Sequence, residues 1–327
     1  MANLVTIIGG SGFVGRYVAL RMARQGWRVR VAVRRPNEAI HVKPYGSVGQ
    51  VEPVLCNIRD DASVKSVISG SDAVVNCVGI LTESGRNKFD AVQHEGATRV
   101  ARLAATEGVL TLVHISAIGA DKEALSAYSR SKVLGELGVL KYFPNAMILR
   151  PSVIFGSEDQ FFNKFAKMSR LTPVLPIVGG NSLMQPVYVD DVAKAAVSGV
   201  LGKAKPGVYE LGGPEVMTLR SVLNKMLDVT ERRRLILNLP FLAGGVVGAL
   251  LDFTQAITGG LFSNTILTRD QVKSLRNDSI VSPDAKGFAD LEINPQAMDS
   301  VLPEYLWPYR PSGQYAAIKA SAKNLNI

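Results

Sequence analysis

Apolar residues follow two alternating patterns from the start of the chain. Short, nearly continuous runs of Val, Ile and Leu occur at Leu4–Ile8, Arg28–Val33, Val51–Cys56, Ala73–Val78, Leu110–Ile115 and Ala146–Leu149. Such runs, without strict alternation, suit strands buried on both faces of a parallel sheet. Between them, apolar positions recur at helical spacing over Val14–Gln25, Ala62–Ser69, Asp90–Glu107 and Ala127–Lys141. Gly26, Gly70 and Gly108 stand where helix C-caps should fall. This βαβ rhythm predicts an α/β fold, a Rossmann-type doubly wound parallel sheet over residues 1–150. After about Pro151 proline and glycine become frequent and the rhythm weakens, so residues 151–327 are expected to form a smaller C-terminal lobe. Asp190–Leu201 and Gly207–Leu211 read as one more helix and strand, which should return part of that lobe to the sheet.

A chain of 327 residues is long enough to bury a full core with a second lobe. Cys56 and Cys77 are too few for a disulfide framework and read as buried hydrophobes. His41, His94 and His114 lack metal-ligand spacing, so no metal site is expected. Net charge is +9, and residues 1–50 alone carry eight Lys/Arg against one acid. These arginines cluster around a phosphate-type motif rather than on a basic helix face, so a phosphorylated cofactor accounts for them better than nucleic acid does. The first strand begins at about Asn3 with no leader-like segment before it, which reads as a protein of the bacterial cytoplasmic side. Leu235–Leu251 carries no charge but is interrupted by Pro240, Gly244, Gly245 and Gly248. It is too short and broken for a transmembrane span. Two readings remain: a buried helix of the second lobe, or an apolar face on lipid or another subunit, toward which Arg232, Arg233 and Arg234 point.

The chemistry begins where Leu4–Ile8 runs into Gly9-Gly10-Ser11-Gly12-Phe13-Val14-Gly15 and then a helix. A tight turn, close backbone approach and a helix N-terminus together suit a pyrophosphate. At the end of the second strand an NAD binder places an acid for the ribose hydroxyl. Here Arg34 and Arg35 follow Val33 instead, and with Arg16 they suit a 2′-phosphate, which favours NADPH. Asn57, with Ile58 beside it, is placed for the adenine. Tyr128 and Lys132 lie at i and i+4 on one helix face. A lysine there can hold the nicotinamide ribose and lower the tyrosine pKa by its charge, so that the tyrosine moves a proton. Ser116, just past a strand, can orient a substrate carbonyl. The bland alternatives are a surface tyrosine and a Lys132–Glu136 helix pair.

Together these pieces resemble the short-chain dehydrogenase/reductase superfamily, in its extended or atypical branch. The matching residues are Gly9–Gly15, Asn76-Cys77-Val78-Gly79, Ser116, Tyr128–Lys132 with Glu136, and Arg150-Pro151. The resemblance implies that Cys77, Val78, Gly79, Pro151 and Val153 line the nucleotide. Asn57 stands where many members have Asp. Strings in the second half are similar to a narrower family, the dehydrogenase-like accessory subunits of respiratory complex I in their alphaproteobacterial form. These strings are Ile154–Asn163, Gln185–Val192, Tyr209–Pro214, Leu267–Val272 and Pro303–Leu306 ahead of Tyr309-Arg310, and the last two are the most telling. This resemblance implies tightly bound NADPH, structural or regulatory rather than redox-active. It also implies partners in the peripheral and membrane arms near the quinone region, and a peripheral place on the cytoplasmic face of the inner membrane. Tyr128 and Lys132 are intact here, whereas mitochondrial members often lack them. That keeps a second expectation open, a free-standing NADPH-dependent reductase or epimerase acting on a carbonyl, quinone or isoprenoid compound.

Overall fold

The computed structural model describes residues 2–257, Asn264 and 267–315. The tail from Lys319, and residues 258–262 of the stretch with expected lipid contact, lie outside them. The N-terminal half alternates as the apolar runs require. Strands β1 (Leu4–Ile8), β2 (Arg28–Val33), β3 (Val51–Leu55), β4 (Ala73–Asn76), β5 (Thr111–Ile115) and β6 (Met147–Pro151) pair in parallel. Between them run α1 (Phe13–Arg24), α2 (Asp61–Ile68), α3 (Glu95–Thr106) and α4 (Ala127–Tyr142).

In the second lobe, β7 (Ile154–Phe155) pairs with β10 (Val187–Tyr188), and β8 (Val174–Val178) and β9 (Leu183–Met184) lie between them in sequence. Then β11 (Gly207–Leu211) returns to the main sheet beside β6. The sheet order is β3-β2-β1-β4-β5-β6-β11. Strand order reverses between β1 and β4, and in such sheets the ligand crevice opens there, above the strand C-termini. Helices α5 (Phe162–Leu171), α6 (Val189–Val200) and α7 (Leu219–Val229) follow in the second half, with β12 (Met217–Thr218) paired to β9. Strand β13 (Leu235–Leu239) pairs with β8, and α8 (Phe241–Ile257), α9 (Arg269–Ser274) and α10 (Met298–Leu306) follow.

Three apolar clusters hold these layers. One lies between the sheet and α1 with α6, centred on Val5, Ile7, Val18, Met22 and Val192. A second fills the opposite face under α2 and α3, with Ile8, Val64, Val74, Val100 and Leu112. The third belongs to the second lobe and joins Phe155, Phe162, Leu223, Met226 and Leu302. Leu219, Val222, Leu223 and Met226 on α7 bury one face at helical spacing.

The structure departs from the sequence pattern in three places. Asp90–His94 is wound as a π-turn that runs directly into α3, so the first turn of the expected helix is wider than an α-turn. Pro36–Tyr45 winds into 3₁₀ geometry. Leu235–Leu239 is a strand and not the start of a helix, because its apolar residues alternate (Ile236 inward, Leu235 and Leu237 outward) and Pro240 separates it from α8.

Candidate functional site

The loop after β1 is shaped by contacts that leave no room for side chains. Gly9 has φ +77° and donates to the Ala32 carbonyl at 2.8 Å. A Cβ on Gly15 would stand 2.4 Å from the Gly9 carbonyl oxygen, and one on Gly10 would stand 2.9 Å from that of Ile7. Gly12 is the N-cap of α1, with no side-chain cap and no acid in the first turn. Its own Cβ would meet only Gly9 O, at 3.1 Å. The first N–H groups of α1 therefore face outward at its positive end, a site that fits a pyrophosphate. Ser11 lies in this loop, Val14 packs against the first cluster, and the Phe13 ring lies edge-on to Tyr17.

The arginines are not equivalent. Arg34 and Arg35 are exposed at the end of β2, and Arg35 pairs with Glu38 at 2.9 Å. Arg16 donates to the Ser11 carbonyl and pairs at 3.2 Å with Glu158 of the second lobe, which also accepts from the Tyr17 hydroxyl at 2.9 Å. Burial and this contact push the Tyr17 pKa well up. The Asn57 side chain accepts from Arg59 N at 3.2 Å, closing the turn after β3, and Ile58 is buried beside Gly96.

The other end of the crevice gathers Cys77, Val78, Gly79, Ser116, Tyr128 and Lys132. Val78 touches the glycine loop, since a Cβ on Gly9 would lie 3.0 Å from its Cγ2. Gly79 is exposed above Lys132, whose Nζ would stand 3.4 Å from a Cβ there. Lys132 is buried, donates to the Ile115 carbonyl at 3.2 Å, and sits 5.8 Å from the Tyr128 ring centroid. Burial pulls its pKa down to about 8, against the opposing pull of Glu136 and Cys77. Burial pushes Tyr128 up to about 12. The sequence argument has Lys132 lowering the tyrosine pKa; here the shift is upward, and desolvation is its cause. Burial likewise raises the Cys77 thiol to about 12. Pro151 and Val153 flank this region at the end of β6, with Pro151 accepting from Ile118 N at 3.0 Å.

Ser116 and Glu136 belong to a buried network. The Ser116 hydroxyl donates to Glu136 at 2.5 Å. Arg150 holds the same carboxylate through two bonds, 2.9 and 2.6 Å, and lies 3.6 Å from Glu210 on β11. Glu136 is thus taken by Arg150 and not by Lys132. The serine hydrogen satisfies a carboxylate that has almost no access to water.

Several functional neighbours carry no local signal. Gln93 lies on the π-turn, donates to Ser131 at 2.9 Å, and keeps its Oε1 buried without a partner, 3.5 Å from the Gly79 Cβ position. His114 accepts from Asn76 at 3.2 Å and has a buried, unpartnered Nε2. Burial and the nearby Lys132 lower its pKa to about 3. The strings of the second half prove to be joints. Asp159 is buried and accepts from Tyr305 at 2.6 Å, Asn163 accepts from Tyr309 at 3.0 Å, and Asp190 takes Arg21 of α1 with two bonds of 2.5 Å. The string around Thr268 forms a capping box for α9.

Comparison with known proteins follows the same lines. The model of the NAD dependent epimerase/dehydratase family matches residues 5–212. NADH dehydrogenase (ubiquinone) 1 alpha subcomplex subunit 9, mitochondrial, of Arabidopsis thaliana is 32% identical over 316 residues, 95% of this chain and 79% of that protein. The ceramide reductase of Caulobacter vibrioides is 27% identical over 260 residues, 78% of this chain and 80% of that protein. The structure of an NADPH-dependent quinone oxidoreductase from Escherichia coli, complexed with NADPH, shares the fold. Its TM-score is 0.70 at 16% identity, covering 92% of this chain and 98% of that one. On its Rossmann-type sheet, its glycine loop and the extent of the family match, the chain belongs to the NAD dependent epimerase/dehydratase family.

Proposed function

We propose that this chain is an accessory subunit of respiratory complex I that holds NADPH as a structural or regulatory group. The observation that carries the reading is the contrast within one crevice. The phosphate end offers open backbone donors, whereas the proton-moving groups at the other end are engaged or mismatched. Ser116 has given its hydrogen to Glu136, and Tyr128 sits near 12, far from the pKa that suits a general acid at neutral pH. Similarity over nearly the whole chain to a protein named as an NADH dehydrogenase subunit supports the assembly.

In this reading Gly9, Gly10, Ser11, Gly12, Phe13, Val14 and Gly15 hold the pyrophosphate, and Arg34 and Arg35 the 2′-phosphate. Arg16 joins them on release from Glu158. Asn57 and Ile58 meet the adenine. Cys77, Val78, Gly79, Ser116, Tyr128, Lys132, Pro151 and Val153 surround the nicotinamide half. A nicotinamide nucleotide supplies hydride when it reacts; the residues here bind and orient it. Among the described residues no helix is long and apolar enough to cross a membrane. Helix α8 turns Leu242, Val246, Leu250 and Phe253 outward, and Arg233 is exposed ahead of β13. That surface suits a peripheral place against lipid or the membrane arm, on the cytoplasmic face of a bacterial inner membrane or the matrix side in a mitochondrion.

The test is quinone-linked NADH oxidation in membranes of the source organism with this chain deleted. Reduced activity and a smaller assembled complex are expected, with recovery by the wild-type chain and by Tyr128→Phe. Normal activity and normal complex size in the deletion would remove the reading. The second reading, a free-standing reductase, draws on Tyr128 and Lys132 meeting below Gly79 and on the ceramide reductase relative. It requires a carbonyl reduction that Tyr128→Phe slows by about 10²–10⁴.

A further inference from the structure

Helix α4 carries Tyr128 and Lys132, and its first turn is capped from far away. Ser126 supplies the local cap, accepting from Ser129 N at 3.4 Å. The two N–H groups before it go to one carboxylate of the second lobe. Asp270 on α9 accepts from Ala127 N at 2.7 Å, from Tyr128 N at 3.0 Å, and from the Ser126 hydroxyl at 2.7 Å. Bonds of this kind, from backbone donors to an anion at the positive end of a helix, are the strong ones.

Asp270 is itself fixed. Thr268 and Gln271 form the capping box of α9, and Asp252 on α8 accepts from Arg269 N at 3.0 Å. A second contact closes on the same tyrosine. Gln255 of α8 donates to the Glu83 carbonyl at 3.0 Å, and the Glu83 carboxylate accepts from Phe89 N at 2.8 Å. The Phe89 ring then meets Tyr128 edge-on with centroids 5.9 Å apart. The glycine loop, on the other side of the crevice, packs instead on Ile7, Val31, Cys77 and Val78.

We propose that Asp270 is a positioning residue for the nicotinamide half of the site. It fixes the start of α4, and through it Tyr128 and Lys132, without touching the nucleotide. The inference rests on the nucleotide-binding reading above and adds that retention of the nicotinamide half depends on the second lobe. The loss of such a cap acts on one half of the ligand only. NADPH reaches both ends of the crevice, whereas 2′,5′-ADP carries the 2′-phosphate but no nicotinamide.

The experiment is calorimetric titration of the full chain with both ligands, for wild type, Asp270→Ala and Asp270→Asn. Asp270→Ala is expected to weaken NADPH about tenfold and to leave 2′,5′-ADP within about twofold. Asp270→Asn, which keeps an acceptor oxygen, should fall between. A purely structural role would move both ligands together, so equal loss for both, or loss for neither, overturns the inference. If Asp270→Ala does not fold, Asp270→Asn carries the same comparison, with the same split expected. Wild-type chain that binds neither ligand would overturn the nucleotide reading itself, and this inference with it.

Discussion

At the Gly9–Gly15 end of the crevice the groups on offer are backbone N–H donors at the start of α1, with no side-chain cap competing for them. At the Tyr128–Lys132 end the groups on offer are side chains, and nearly all have other work. Lys132 is tied to Ile115, Ser116 to Glu136, and Glu136 to Arg150. His114 and Gln93 leave buried polar atoms without partners beside them. The first end needs only the shape of the chain, and the second needs an electrostatic arrangement held by residues from many elements. Holding a nucleotide and using it are therefore separable properties of this fold, and variants can be aimed at either.

The largest effect is expected from Gly12→Asp. Gly12 has φ −71°, which any residue can adopt, and a Cβ there would press on one atom, Gly9 O at 3.1 Å, so the chain should fold once the loop gives by a few tenths of an ångström. A carboxylate about 4 Å from a phosphate costs about 4 kcal/mol at an effective dielectric of 20, or about a thousandfold in affinity. Titration with NADPH measures it, and binding within about tenfold of wild type would show that the loop does not carry the phosphates.

Acid should expose the other end. Folded His114 takes a proton only near pH 3, whereas an unfolded histidine takes one at its ordinary value near 6.5. Between those values the unfolded chain binds more protons, so stability falls as pH falls through that window. From pH 7 to 5 this one group should remove about 2 kcal/mol. Urea unfolding of wild type and His114→Asn at both pH values isolates it; the two should converge in acid. Parallel pH profiles would mean that His114 is not desolvated as described.

The smallest effect separates the rim from the crevice. Alanine at both Arg34 and Arg35 should weaken NADPH about tenfold relative to NADH, a modest figure because both guanidiniums are exposed and screened. Equal losses for the two nucleotides would show that these arginines do not read the 2′-phosphate.

The same contrast explains what was legible in the sequence. The loop glycines stand at fixed local spacing because backbone clearance demands it. Gly26, Gly70 and Gly108 have positive φ after α1, α2 and α3 for a similarly local reason. Tyr128 and Lys132 show themselves by helical spacing. Asp270 does not, because its partners lie more than 140 positions away and an aspartate has no signature for capping a distant helix. Glu158 is hidden for the same reason, and so is the choice of Glu136 between Lys132 and Arg150. The run from Leu235 to Leu251 misleads because an apolar stretch fits a strand or a buried helix equally well until its partner strand is known.

Strand β11 completes the sheet only after about 55 further residues have followed β6. At synthesis rates of about 5–20 residues per second, β6 stands as a bare sheet edge for several seconds. An unpaired edge is open to wrong partners. Arg150, next to the last residue of that edge, is held by Glu136 of helix α4, already formed, and faces Glu210 on the strand still to come. When β11 arrives, the pairing of Arg150 with Glu210 favours the one register that brings the two opposite.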